Sequence, residues 1–376
     1  MSPGLESRGE KTDVANRKRP LPPCEDDEQK GKGQKSQPFG DNLGLKAEVT
    51  KPPQEAEGHS KRESDRRRPQ PACDQEESGP KRVRGQEDGK TSEAHLVHSS
   101  LKAKSAQHRQ KERVEKLYKR EKLLGRGGFG SVFAGTRKSD GLQVALKYAR
   151  KLKDDDLQLP GQEAPAPREV ALMRAVNEVP NPNVLQMYEW YDRPSSYVMV
   201  LERPDPCQDL DSYCQDQGGR LREEEARRVV EQLLPALLHC QQRGIVHRDV
   251  KPENLLIRTD TQELKLIDFG CGDPLKNTPF DSFSGTLPYQ PPEWFQEGTF
   301  LAGPGTVWSV GVTLYNLVYG RLPFTKFTKA CMGQVVLDDG LSAEIKDFIL
   351  WCLRPHPEDR PTLEQLQLHP WLHPRF

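Results

Sequence analysis

The chain has 376 residues, 56 Lys+Arg against 56 Asp+Glu, and 34% hydrophobic residues. The zero net charge supplies no global field that would point to nucleic acid, and so low an apolar content leaves part of the chain unable to build a core. No apolar run reaches the ~18 residues of a membrane span and no signal peptide opens the chain. The eight cysteines (24, 73, 207, 214, 240, 271, 331 and 352) make no CxxC pair and no zinc-ligand spacing, so reduced thiols in an intracellular protein are expected.

In chain order, residues 1–115 come first. Before Tyr118 the only aromatic residue is Phe39, and the segment is rich in Lys, Glu, Gln, Gly, Pro and Ser. It cannot bury enough surface to offset its ordering entropy, and a disordered mixed-charge tail is expected. Basic clusters punctuate it at Arg17-Lys18-Arg19, Lys61-Arg62, Arg66-Arg67-Arg68 and Lys81-Arg82 with Arg84. They read either as a solvated tail or as a nuclear-import signal. Cytoplasmic or nuclear residence, or both, is the corresponding expectation.

Gly125-Arg126-Gly127-Gly128-Phe129-Gly130 fits G-x-G-x-x-G, but the β-prone run Ser131–Thr136 follows it where a dinucleotide fold needs a helix. The geometry is strand, glycine turn, strand: a hairpin whose backbone N–H groups can approach phosphates without a Cβ in the way. Val132 would sit against a flat base. The next strand, Gln143–Tyr148, carries Lys147 amid apolar neighbours. That lysine is either a snorkelling edge residue or a partner for α- and β-phosphates. In the second case it needs a carboxylate, and Glu169 and Glu163 are both available.

A polar segment, Val200-Leu201-Glu202-Arg203-Pro204-Asp205-Pro206-Cys207, leaves an apolar strand and surrenders two N–H donors to proline. Arg222 to Arg243 reads as a long amphipathic helix that Gly244 stops, with Pro235 inside it as a kink or a shift in packing. Further on, His247-Arg248-Asp249-Val250-Lys251-Pro252-Glu253-Asn254 sets charged residues on a loop between apolar strands. Leu264-Lys265-Leu266-Ile267-Asp268-Phe269-Gly270 then ends a buried strand on an Asp, which is costly unless paired or bound to metal. Asn254 and Asp268 are two oxygen ligands that suit Mg²⁺.

These parts in this order, with Pro291-Pro292-Glu293 after them, resemble a eukaryotic protein kinase over residues ~118–372. The Glu-Arg-Pro-x-Pro run at 202–206, Gln208-Asp209-Leu210, Pro291-Pro292-Glu293-Trp294 and Val307-Trp308-Ser309, without an acid at Thr306, are similar to the Pim family of serine/threonine kinases. So is the helix opening at Pro167-Arg168-Glu169-Val170, which selects Glu169. The resemblance implies an α+β bilobal fold, with a β-rich N-lobe carrying one regulatory helix (116–201), a hinge (202–207) and a larger α-helical C-lobe (208–376). It also implies transfer of the ATP γ-phosphoryl group to Ser or Thr of protein substrates, by a monomer with ATP and Mg²⁺ as cofactors.

On the same grounds Asp249 accepts the hydroxyl proton, Lys251 neutralises the moving phosphoryl group, and Asn254 and Asp268 hold the metal. Lys147, held by Glu169, grips the other phosphates. The nucleotide site comprises Leu124, Gly125, Gly127, Gly128, Phe129, Gly130, Val132, Ala145, Lys147, Glu169, Leu201, Glu202, Asp209 and Leu256. At the hinge only the Glu202 carbonyl would bond adenine, because Pro204 has no N–H. Asp209, Asp211 and Glu253 would receive substrate arginines, although Ser212, Asn316, Arg321 and Thr325 stand where the family tends to be acidic. Asp281 would supply fixed negative charge to Arg248, giving activity without an upstream kinase, while Ser282 and Ser284 are open to phosphorylation. Glu293 would pair with Arg360. Cys207 and Cys271 are read as reactive or, alternatively, inert thiols. The rival classes are a pseudokinase scaffold, which would lack Lys147, Asp249 or Asp268, and a nuclear interaction protein built around the tail.

Overall fold

A computed structural model describes residues 114–374, Phe129 and Phe283 excepted. The tail with its basic clusters, Cys24 and Cys73 lies outside the described residues. Among those residues no helix is long and apolar enough to cross a membrane.

The smaller lobe is a five-stranded antiparallel sheet in the order β1-β2-β3-β7-β6. Its strands are β1 (Tyr118–Gly127), β2 (Gly130–Arg137), β3 (Gln143–Arg150), β6 (Met187–Asp192) and β7 (Ser196–Glu202). The period of two in β3 sorts its side chains. Val144 and Leu146 face an outer cluster with Tyr118, Tyr191, Val198 and Val200, while Ala145 and Ala149 join the main core. Lys147, between those two alanines, therefore turns toward the main core and away from the outer surface. Two short strands, β4 (Asp156–Leu157) and β5 (Ala166–Pro167), pair ahead of helix α1 (Arg168–Asn177). Pro167 precedes the first turn, where its missing N–H costs nothing. The buried stripe of α1 is Glu169, Val170, Leu172, Met173 and Val176, so the helix brings a carboxylate inward with its apolar face.

The chain crosses from β7 through β8 (Cys207–Asp209) into α2 (Leu210–Asp216). The larger lobe is built on α3 (Glu223–Gln242) and α5 (Ala302–Tyr319), with α4 (Pro292–Glu297), α6 (Phe327–Cys331), α7 (Ala343–Cys352) and α8 (Leu363–Gln367) around them. Val229, Val230, Leu233, Leu234 and Leu237 of α3 are buried, and the helix runs through Pro235. Gly244 ends it at φ +70°, a conformation that favours glycine. Between α3 and α4, short strands carry the loops: β9 (Ile245–Val246), β10 (Leu255–Arg258), β11 (Leu264–Leu266) and β12 (Asp273–Pro274). β11, β10 and β8 form one small sheet, and β12 pairs with β9.

Candidate active site

The glycine hairpin is the turn between β1 and β2. At Gly130 (φ +148°) a Cβ would lie 2.1 Å from the Tyr148 carbonyl oxygen, so the close approach of β2 to β3 requires glycine. A Cβ at Gly125, Gly127 or Gly128 would meet nothing within 4 Å, which leaves open space above the turn. Phe129 lies outside the described residues. Val132, half-buried, and Ala145 pack against the main core on the same side as Leu201 and Leu256. Leu124 is exposed.

Below this roof Lys147 Nζ lies 2.5 Å from Glu169 Oε1 and 2.8 Å from Asp268 Oδ1. The second oxygen of Glu169 accepts from the Tyr197 hydroxyl at 3.3 Å. Glu169 is thus the partner, and Glu163 is not. Burial works against the Lys147 ammonium, but the two carboxylates outweigh it and hold its pKa above the ordinary lysine value. Burial opposes charge on Asp268 too, yet Lys147 and the Gly270 N–H hold that carboxyl below its usual range.

The loop between β9 and β10 is held from inside. Asp249 N donates to His247 Nδ1 (3.3 Å), and His247 Nε2 meets the Ile267 carbonyl at 2.9 Å. Since the first partner only donates and the second only accepts, the ring is the neutral Nε2–H tautomer. Its face packs edge-on against Phe269, which is fully buried, with ring centroids 4.9 Å apart. Asn254 Nδ2 donates both to the Asp249 carbonyl (2.8 Å) and to Asp249 Oδ2 (2.9 Å). Lys251 Nζ lies 3.2 Å from the same Oδ2 and donates to Thr286 Oγ1 at 2.6 Å. Asp249 Oδ1 is buried with no hydrogen-bond partner among the described residues. Arg248 and Asp268 both hold left-handed backbones, at φ +65° and +61°, a strain that flanks the site on two sides.

Both amide hydrogens of Asn254 are directed at Asp249, so its Oδ1 is the atom left to accept. Asp268 is a partly exposed carboxylate two residues past the end of β11. A hard oxygen pair of this kind fits a divalent cation that keeps its own water and takes phosphate oxygens. Among the described residues no group of three or more His, Cys, Asp or Glu could hold a metal ion by itself.

The hinge holds Pro204 buried and Pro206 exposed. Glu202 is fixed by its side chain: Oε1 lies 3.0 Å from the buried Lys265 ammonium and Oε2 accepts from Gln186 N at 3.1 Å. Asp209 caps α2, taking Ser212 N on Oδ1 (2.9 Å) and the Ser212 hydroxyl on Oδ2 (2.8 Å). Asp211 and Glu253 stand near it, and desolvation raises both carboxyl pKa values; Asp209 adds to the rise at Asp211, while a backbone N–H and Lys251 oppose it at Glu253. The Cys207 thiol is pushed up by burial and by Asp205, and so is poorly nucleophilic. Cys271 is buried.

Four groups of this site escape a reading of the sequence. Arg248 does not take Asp281, which is exposed. It takes Asp273 instead, Nη1 to Oδ2 at 2.8 Å, and its Nη2 donates to the Ser282 carbonyl. Burial lowers the Arg248 pKa, and Asp273 opposes that fall. Gly285 (φ +107°) lies so close to the loop that a Cβ would sit 2.5 Å from the Arg248 carbonyl oxygen. Thr286 receives Lys251, and Lys265 anchors Glu202. The only sequence signals for these are local: an acid three residues past Gly270, a Gly-Thr pair ahead of the prolines, and a lysine inside an apolar strand.

Residues 118–372 match the family described as the protein kinase domain. Serine/threonine-protein kinase pim-2 of Danio rerio is 40% identical over 282 residues, 72% of this chain and 88% of that protein. Serine/threonine-protein kinase prk-2 of Caenorhabditis elegans is 36% identical over 265 residues, 69% of this chain and 59% of that protein. Sperm motility kinase 3A of Mus musculus is 30% identical over 263 residues, and the chain spans 48% of its length. The chain therefore belongs to the protein kinase family, as an ATP-dependent serine/threonine kinase of the Pim-like type.

Proposed function

We propose that this chain phosphorylates Ser or Thr in proteins with a basic motif, using Mg²⁺ as the metal and without prior phosphorylation of its own loop. The observation that carries the reading is the Asp249 carboxylate. One oxygen is fixed by Asn254 and Lys251, while the other is buried with no hydrogen-bond partner among the described residues. Such an atom is poised to accept the proton of an incoming hydroxyl. Lys251, which touches both Asp249 and Thr286, is placed to balance charge on the moving phosphoryl group. Lys147 binds the α- and β-phosphates, and Glu169 keeps it in reach. Asn254 Oδ1 and Asp268 would hold Mg²⁺, which when bound neutralises the phosphate charge. The hinge offers adenine the Glu202 carbonyl, and Pro204 offers no donor. The missing bond costs on the order of 1 kcal/mol.

Substrate arginines are assigned to Asp211 and Glu253, because desolvation raises both carboxyls and a guanidinium would relieve it, although Lys251 already offsets part of the effect at Glu253. Asp209 contributes less, because Ser212 already occupies both of its oxygens. With Asn316, Arg321 and Thr325 where acids would reach further, the preference is confined to a near upstream arginine. Independence from an upstream kinase is supported by Arg248, whose guanidinium is already held by this chain's own groups. The retained Lys147, Asp249 and Asp268 favour an enzyme over a scaffold. We expect transfer from Mg-ATP to a serine peptide carrying arginine three residues upstream, with loss of about 10³-fold or more in Asp249→Asn. Equal rates for wild type and variant would refute the assignment of Asp249. Equal rates for peptides with and without the arginine would refute the basic preference.

A further inference from the structure

Asp273 stands in β12, three residues past Gly270, and its two oxygens serve two different arginines. Oδ1 accepts from Arg168 Nη1 at 2.6 Å and Oδ2 from Arg248 Nη1 at 2.8 Å. Arg168 is the first residue of α1 and directly precedes Glu169, the partner of Lys147. Arg248 directly precedes Asp249. One carboxylate therefore ties together the two backbone positions next to the two acids on which the site depends.

Neither arginine is loose. Arg168 Nε donates to Asp155 Oδ1 at 2.8 Å, so its guanidinium is fixed from both sides. The Arg248 side chain is 3% exposed, and its guanidinium carbon lies 4.7 Å from the Phe280 ring centroid and 5.7 Å from that of Phe300. Asp273 is held as well, because it pairs with Val246 in the β9–β12 ladder, two residues before Arg248. The rest of the loop hangs on the same guanidinium through the Ser282 carbonyl.

We propose that Asp273 is a positioning residue that locks α1 to the catalytic loop, so that a fixed carboxylate supplies the negative charge by which the Lys147–Glu169 pair and Asp249 are held in register. The proposal rests on the kinase reading and deepens it. Without the carboxylate, two guanidiniums remain, with Asp155 the acid still bound to Arg168. Their hydrogen-bond donors then form a site for an oxyanion, since arginine forks match phosphate geometry.

The test uses the full chain after phosphatase treatment, with intact mass showing no phosphate before and after the assay. In Asp273→Ala we expect kcat to fall about tenfold or more, within the range of coupling between sites, with peptide KM within about twofold of wild type. Asp273→Glu, which keeps the charge, recovers most of the rate. Millimolar inorganic phosphate raises the rate of Asp273→Ala and not that of the wild type. In the protein without nucleotide, the amides of Val170–Val176 exchange about tenfold faster in Asp273→Ala than in wild type. Unchanged exchange, a kcat within about twofold of wild type, or equal losses in the Ala and Glu variants with no gain from phosphate each overturn the proposal. An inactive wild type would instead sink the kinase reading, and the exchange measurement would still decide whether Asp273 holds α1.

Discussion

His247 shows how one side chain sets a protonation state for its surroundings. It accepts from Asp249 N and donates to the Ile267 carbonyl, so a second proton would break the bond that shapes the β9–β10 loop. Burial lowers its pKa, and the Ile267 carbonyl and the nearby Asp249 and Asp268 only partly counter this. The direction of the pH effect follows from that depression. Below the ordinary histidine value of about 6.5 the unfolded chain binds a proton that the folded protein refuses. The stability held by neutral His247 is therefore complete above that pH and is lost as the pH falls below it. Thermal unfolding between pH 7.5 and 5.5 should show a steeper loss in wild type than in His247→Gln, which keeps a donor and an acceptor but does not titrate. Parallel curves would mean that His247 does not carry this dependence.

At the scale of elements, legibility in the sequence followed the range of the interaction. The glycine hairpin, the start of α1 after Pro167 and the end of α3 at Gly244 are written in adjacent residues, and the structure has all three. Glu169 needed the kinase resemblance to be chosen over Glu163, because only the packing of α1 on the sheet brings it to Lys147. Asp273, Gly285 and Lys265 were not legible, since each acts on a partner tens of residues away in a fold not yet known. Asp281 is the residue that the family resemblance selects, since it is an acid in the loop that follows Gly270. The two-residue ladder of β12 with β9 gives that place to Asp273, and no periodicity announces so short a strand. Pro235 is a different case, plain in the sequence but unexplained by the fold. It removes the N–H that would bond the Glu231 carbonyl inside a 20-residue helix. Pro235→Ala restores that bond and relieves the ring, and it should stabilise the protein by about 1–3 kcal/mol. Its transfer rate should stay within about twofold of wild type. A lower unfolding temperature in the variant would show that the ring packs favourably enough to outweigh the bond.

At the scale of the whole molecule, a buried joint in the larger lobe links three segments. Arg360 is fully buried and binds both oxygens of Glu293, at 2.8 and 2.7 Å. It also donates to the carbonyls of Arg354, Pro355 and Pro304, and lies over the Trp308 ring at 4.9 Å. Glu293 belongs to α4, which follows the segment whose Gly285 lies against the β9–β10 loop, and Pro304 and Trp308 belong to α5. One guanidinium thus fastens α4, α5 and the 354–360 loop. Removing it leaves a buried carboxylate without its cation and takes one donor from each of three carbonyls. A broken buried pair costs about 3–5 kcal/mol. At about 2–4 °C per kcal/mol for a domain of this size, Arg360→Ala should lower the unfolding temperature by roughly 6–20 °C. Glu293→Gln on top of it should add little, because the charge it removes has already lost its partner. Unfolding of wild type, both single variants and the double variant closes the cycle. Additive losses would show that the two side chains stabilise the lobe separately, and that the joint is two independent contacts.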